Sequence, residues 1–408
     1  MPSVKNPYEA VIVGAGIAGA AIAKALKNNN INNFLVVDKG LGPATGTSAH
    51  GHALCHPYIG RGASRLQRLT FLAFKEARDV WGKHWCGHGV FHLPRTQEGF
   101  TKQTMSERLL SQGFNFDMAM PMDQAEANEK IGVQSGGTFF PEGGWVNLEQ
   151  ACHEVFDEMA PEQTLWATKL RRIEKVDGQW MLWDGQDQLI ASTERLFLAN
   201  SLGVKDLAES IDISLPLKPV RGQLSKFSFS KQSTWAQHLP RYALSGKAYC
   251  LTPEEKGGEF EWVVGSSYDE EVDDLNVWDS SHAENKALIK EMLNQALHDD
   301  ELKVKDAFVG VRCVASDRLP IMGPVKSQPG LYILTSLGSR GVMWSALASQ
   351  MFTEHLAYEK NHSAFLDARF FAGARLAAAG LDSVLADALL PARFLAGVSN
   401  SKPILPSA

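Results

Sequence analysis

Gly14, Gly16 and Gly19, in the run VIVGAGIAG over residues 11–19, have the spacing that lets a backbone wrap around phosphates. Gly14 permits a tight turn, Gly16 lets the chain approach a pyrophosphate, and Gly19 lets a helix pack closely on a strand. The glycine spacing alone is weak evidence. Here it follows an apolar strand, Val11 to Val13, and opens a helix that runs through about Lys27. Asp38 ends the next strand, nineteen residues after Gly19. A carboxylate there accepts hydrogen bonds from both hydroxyls of an adenosine ribose and repels a 2′-phosphate. Ile17, Ala18 and Lys39 fall within the same predicted site.

A second set of residues extends this reading. DRLPIMG occupies 317–323, and GSRG occupies 338–341, directly before the predicted helix VMWSALASQMFTEHLA. A glycine turn at a second helix N-terminus, some three hundred residues from the first, suits a long cofactor with two separately cradled ends. FAD fits better than NAD, because an isoalloxazine ring needs N–H donors near its pyrimidine edge. Gly338, Ser339, Arg340, Gly341 and Val342 are the candidates for that end.

The elements that must position these residues read as an α/β fold. Phe34 to Val37 is a second buried strand after the asparagine-rich break NNNINN, and continuous apolar strands imply a parallel sheet covered on both faces. KLRRIEKV, QWMLW and QLIAS, separated by Asp177-Gly178 and Asp184-Gly185, predict an antiparallel meander. Arg195–Ser201 reads as a separate strand returning to the first sheet. AYCLTP and EFEWVVGSSY predict further strands, 282–299 an amphipathic helix, and LYILTS (331–336) a strand. The stretch from about 370 reads as helical, with a disordered tail at SNSKPILPSA.

Composition limits the function classes. The net charge is −6, so any nucleic-acid contact must use a local patch. Arg61, Arg65 and Arg68, at i, i+4 and i+7, predict one basic helix face, with Lys75 and Arg78 beyond. Lys169, Arg171 and Arg172 form a weaker cluster. Five scattered cysteines without a CxxC pair argue against disulfides and structural zinc. His50, His52 and His56 share one loop, but their spacing fits no usual zinc site, so no metal is assigned. No run is long and apolar enough to span a membrane, and no signal peptide is evident. The reading is a cytoplasmic protein.

The order of GAGIAG, ATGTSAHGHALCHP (44–57), FLANS (197–201), RGQ (221–223), GVRCVASDRLPIMG (310–323) and LGSRG (337–341) resembles the amine-oxidising FAD enzymes of the D-amino-acid oxidase and glycine oxidase superfamily. GGWVNLEQ, LTP…VGSSY and LLPARF make the chain most similar to the FAD-oxidoreductase domain of the bifunctional enzymes of tRNA 5-methylaminomethyl-2-thiouridine biosynthesis. The resemblance adds Thr47, Ser48, Ala199 and Asn200 to the FAD site. It implies removal of the carboxymethyl group from 5-carboxymethylaminomethyluridine at the tRNA wobble position. A C–H next to the secondary amine delivers hydride to the flavin. The imine then hydrolyses to an aminomethyl group and glyoxylate. The expectation is that the methyltransferase domain is absent here, so a separate methyltransferase would act next.

This chemistry calls for a guanidinium that pairs with the substrate carboxylate. Arg312 matches the position where glycine oxidases hold that group, and Arg340 is the second candidate. His56 and Tyr249 complete the candidate catalytic set. The relatives carry tyrosine just before LTP, where this chain has Cys250, and a one-residue slip turns a strand side chain to the other face. Cys313 raises covalent flavin attachment, but its offset from the following motif argues against it.

The resulting expectation is a two-domain glutathione-reductase-like FAD fold. Residues 1–90, 145–210 and 305–360 would form a Rossmann-type FAD domain. Residues 91–144 and 211–304 would form an antiparallel-sheet substrate domain, followed by a C-terminal segment, 361–408. Two other functions stay open: oxidation of a small free amine such as glycine, sarcosine or a D-amino acid, and a flavin-containing tRNA-binding scaffold without turnover. The oligomeric state and the electron acceptor are not legible.

Overall fold

A computed structural model describes residues 8–96, 99–295, 297–362 and 373–395. The first strand, Tyr8–Val13, buries its last four residues, YEAVIV reading polar then apolar. That run is apolar throughout because neighbours flank it on both edges. It pairs in parallel with Phe34–Val37 on one side and Leu189–Leu198 on the other. Leu331–Thr335 extends the parallel sheet beyond Leu189–Leu198, and Ile321–Pro324 closes that edge antiparallel. Thr164–Leu165 forms the opposite edge.

The separate strands predicted at QLIAS and Arg195–Ser201 are one ten-residue strand, Leu189–Leu198. Its first half pairs antiparallel with Gln179–Asp184, and its second half continues into the parallel sheet. No glycine or proline interrupts it, so nothing forces a break. Leu170–Val176 completes the meander.

Helix Ile17–Asn28 and helix Gly341–His362 pack together on one face of this sheet, with helix Arg65–Trp81 against the second of them. Ala20, Ala21 and Ala23 are fully buried, and these short side chains permit close helix contact. The second sheet is built around the strand Leu217–Ser230, which pairs antiparallel with Lys303–Ala315 and with Glu259–Gly265. Val90–His92 and Gly137–Phe140 join the same sheet, so chain from before and after the meander meets there. Strand Lys303–Ala315 thus lies in the second sheet, while the rest of 305–360 serves the first.

Several expectations shift. The helix predicted over 282–299 runs Asp279–Leu293 and stops at Asn294, in the left-handed region at φ 52°. The basic stripe is not one helix face. The helix starts at Arg65, where the Ser64 hydroxyl accepts from the Gln67 N–H at 3.2 Å, so Arg61 stands in the preceding loop. Arg68 pairs with Asp382 at 2.7 Å, and Lys75 and Arg78 lie over the rings of Phe71 and Trp85. The C-terminal segment forms short helices, Gly373–Ala378 and Ser383–Asp387, and the tail SNSKPILPSA lies outside the described residues. Among the described residues no helix is long and apolar enough to cross a membrane.

The junction of the first strand and first helix has no spare room. A Cβ on Gly19 would come 1.9 Å from the Gly14 carbonyl oxygen. Ala in place of Gly would gain about 1 kcal/mol of helix propensity. The backbone clash outweighs that gain, so Gly19→Ala destabilises the protein by about 1–3 kcal/mol. Urea unfolding followed by circular dichroism measures it.

Candidate active site

Four separated segments converge where the first parallel strand ends. Gly14 has φ +110°, and a Cβ there would lie 2.6 Å from the Ala199 carbonyl oxygen. Only glycine suits both the conformation and the approach. The Ala199 N–H donates to the Val13 carbonyl at 2.8 Å, which brings the 199–200 segment beside the glycine loop. The Ile17 N–H donates to the Ser48 hydroxyl at 3.1 Å. Gly341 is the fourth partner: a Cβ there would touch the Ile17 side chain at 3.7 Å. Two helix N-termini therefore stand side by side, and both favour negative charge.

Asp38 accepts from the Ala15 N–H and the Gly40 N–H, both at 2.7 Å. Each carboxylate oxygen keeps a further lone pair for a ribose hydroxyl. Thr47 donates to the Val311 carbonyl at 2.7 Å and ties this loop to the second sheet. Asn200 presents a buried Oδ1 with no hydrogen-bond partner among the described residues. A tight, glycine-lined cradle with an unpaired buried acceptor fits a bound dinucleotide better than a closed core. Gly338 has φ +54°, and Val342 is buried in the helix that follows. Lys39 and Ser339 are exposed at the rim.

The substrate side faces this cradle. Arg312 stands opposite Val220 in the paired strands, two residues from the Gly222–Gly310 pair. Its guanidinium lies across Gly222, where a Cβ would fall 2.2 Å from Nη2. It donates to the Arg221 carbonyl at 3.3 Å and to the Ser266 hydroxyl. Arg221 points to the opposite face and is fully buried. There it pairs with Asp269 at 3.1 Å, donates to Gln223 Oε1 at 2.8 Å and covers the Trp278 ring at 3.8 Å. This brace fixes the strand that carries Gly222.

Arg340 is placed by the turn before the last long helix, where its N–H donates to the Leu337 carbonyl at 3.1 Å. Its guanidinium lies 5.5 Å from the Tyr58 ring centre. Burial lowers the pKa of both Arg312 and Arg340, yet a guanidinium stays charged at neutral pH. Among the described residues neither has a carboxylate within ion-pair distance.

Tyr249 occupies the face turned toward Arg312, and Cys250 is the residue sent into the aromatic core beside Trp262. The Tyr249 hydroxyl donates to the His52 carbonyl at 2.9 Å, and burial raises its pKa. His50 packs against Phe308 at 4.9 Å and feels the Arg312 charge. His56 is held at both ring nitrogens, by the Pro57 carbonyl at 3.0 Å and the Ser245 hydroxyl at 2.8 Å. Its ring stacks on Phe140 at 5.2 Å. Burial pulls the pKa of His50 and His56 down to about 3 and that of His92 to about 4. Cys313 is buried next to Thr335, and burial pushes its thiol up. No group of residues suited to a metal ion occurs among the described residues.

Residues that the sequence reading did not single out are Ser266, Tyr268, Tyr58 and the Arg221 brace. Ser266 and Tyr268 lie in the three-residue link between strands Glu259–Gly265 and Asp269–Glu270, and both reach Arg312. VGSSY was visible as a motif, but its partner Arg312 is 46 residues from Ser266.

This arrangement defines a two-sheet flavoprotein, with a dinucleotide cradle on one sheet and two arginine guanidinium groups facing it. Residues 9–355 match the family described as FAD dependent oxidoreductase, and the chain belongs to it. It is an FAD-dependent oxidoreductase. It is 30% identical over 380 residues to the tRNA 5-methylaminomethyl-2-thiouridine biosynthesis bifunctional protein of Ralstonia nicotianae, covering 84% of this chain and 56% of that protein. The corresponding protein of Cupriavidus necator is 28% identical, covering 97% of this chain and 61% of its own length. The chain thus spans a little over half of these relatives. Glycine oxidase from Geobacillus kaustophilus has the same fold, with a TM-score of 0.67 at 17% identity over 85% of this chain and 93% of that one.

The histidine environment has a measurable consequence. An unfolded histidine takes up a proton near pH 6.5, whereas folded His50 and His56 wait until about pH 3. Between those values the unfolded state binds more protons, so stability is full above pH 6.5 and falls as pH falls. The drop in Tm between pH 7 and pH 5 is smaller for His56→Gln than for the unaltered protein, read by differential scanning calorimetry.

Proposed function

We propose that this chain oxidises a secondary amine next to a carboxylate, and that the amine is the carboxymethylamino group of a modified wobble uridine in tRNA. The observation that carries the first half is the pair of guanidinium groups, Arg312 and Arg340, left without a carboxylate partner among the described residues. Partly buried charges of one sign are costly unless an opposite charge joins them. A substrate carboxylate is that charge. The second half is supported by the relatives, whose names specify tRNA 5-methylaminomethyl-2-thiouridine biosynthesis. Removing a carboxymethyl group leaves the aminomethyl carbon such a product requires.

Gly14, Gly16, Ser48, Asp38 and Asn200 would hold the adenosine and pyrophosphate end of FAD, and the 338–342 turn its other end. Bound FAD supplies the two-electron acceptor for the C–H bond. Arg312 anchors the carboxylate and fixes which C–H is presented. The two guanidinium charges also disfavour an ammonium, so the substrate nitrogen enters the pocket neutral. The histidines lining the loop stay unprotonated and donate no proton to the substrate. Water then hydrolyses the imine, giving an amine and glyoxylate. Methyl transfer is a different reaction, assigned to another active site, and tRNA as substrate places the work in the cytoplasm.

Anaerobic flavin bleaching tests the proposal. tRNA bearing 5-carboxymethylaminomethyluridine reduces the flavin faster than glycine, sarcosine or a D-amino acid. Fast reduction by a small amine and none by the tRNA would overturn the tRNA reading. Arg312→Ala raises the half-saturating substrate concentration by about thirtyfold or more, as loss of a buried charged partner requires. Arg312→Lys recovers only part, since an ammonium cannot form the two-pronged contact.

A further inference from the structure

Two tyrosine rings border the cationic pocket and take no part in the chemistry above. Tyr58 is 37% exposed and Tyr268 is 45% exposed, among the few large apolar side chains left open to solvent. Arg340 lies 5.5 Å from the Tyr58 ring centre, and Arg312 lies 5.6 Å from that of Tyr268. Tyr268 also bears electrostatically on Arg340, whose ring contact is with Tyr58. Neither phenol oxygen has a hydrogen-bond partner among the described residues, so the rings are not fixed through their hydroxyls. They are held through the segments that carry them. Ser267, next to Tyr268, donates to Asp269 at 3.0 Å and accepts from the Gln223 N–H at 3.1 Å. Tyr58 donates its N–H to Thr70 at 3.3 Å, and Gln112 bonds both the N–H and the carbonyl of nearby Gly60.

We propose that Tyr58 and Tyr268 form the stacking surface that receives the base carrying the amine arm, so that the enzyme recognises an unstacked nucleotide at the pocket mouth. The proposal rests on the tRNA reading above and deepens it. Rigidly mounted aromatic faces beside arginines are how proteins hold unpaired bases, because every base offers a π face and stacking tolerates its modification. Glycine or sarcosine has no ring to place there and would leave both tyrosines idle. The charges around the rings agree. Arg61 and Arg65 are exposed in the segment that follows Tyr58, and Arg318 is tied only by an exposed pair with Glu270 at 3.7 Å. Exposed pairs of that kind are weak and exchange readily for a phosphate.

Anaerobic single-turnover reduction with the modified tRNA separates the outcomes, with flavin absorbance reporting intact holoenzyme in each variant. Tyr58→Leu and Tyr268→Leu each raise the half-saturating tRNA concentration about tenfold or more, while the limiting reduction rate changes by less than about threefold. Tyr58→Phe and Tyr268→Phe keep the half-saturating value within about threefold, since stacking needs the ring and not the hydroxyl. Unchanged saturation in the Leu variants, or Phe variants as impaired as Leu, would overturn the stacking assignment while leaving the tRNA reading intact. An unaltered protein that modified tRNA fails to reduce would instead overturn the tRNA reading, and this assignment with it.

Discussion

The Arg312 guanidinium crosses the bare Cα of Gly222, and the substrate side of the molecule is arranged around that crossing. Any larger residue at 222 would occupy the space of the Arg312 nitrogens. The strand carrying Gly222 must therefore stay in register with the strand carrying Arg312. Arg221 secures this from the rear face through Asp269, Gln223 and Trp278. One guanidinium is satisfied by its brace, while the other is left with carbonyl and hydroxyl partners only. That asymmetry makes one arginine of the sheet a fastener and leaves the other without a carboxylate partner among the described residues.

The cofactor side follows a parallel logic with backbone in place of side chains. Gly14 meets Ala199 and Gly19 meets Gly14 at distances no side chain permits. Asp38 already has internal partners that hold its shape, the Ala15 and Gly40 N–H groups. Little rearrangement is then required when a ligand takes the remaining lone pairs.

The first sheet and the glycine loop were legible because both depend on residues close in sequence. A buried strand, a glycine turn and an alanine-rich helix within thirty residues identify themselves by period and residue type. Arg312 and Arg340 were singled out through resemblance, with a physical argument for the charge a carboxylate site needs. The tyrosines of the pocket mouth were not. Tyr58 lies in an irregular loop and Tyr268 in the short link between strands Glu259–Gly265 and Asp269–Glu270. Their approach to the arginines depends on which elements pack together. The basic stripe failed for a local reason that spacing cannot reveal: Ser64 caps the helix three residues after Arg61. Cys250 and Tyr249 show the opposite case, in which simple alternation along a strand decides which side chain reaches the pocket.

Ile17 and Gly341 touch although more than three hundred residues separate them along the chain. The parallel order of the central strands demands such a closure, since each crossover must be completed before the next strand can dock. A ribosome releases the first glycine loop more than three hundred residues before the second. During synthesis the nascent protein thus holds half a cradle whose apolar walls await their last helix. A fragment lacking Gly341 lacks the surface that Ile17 packs against, so the two glycine turns become one structure only when both are present.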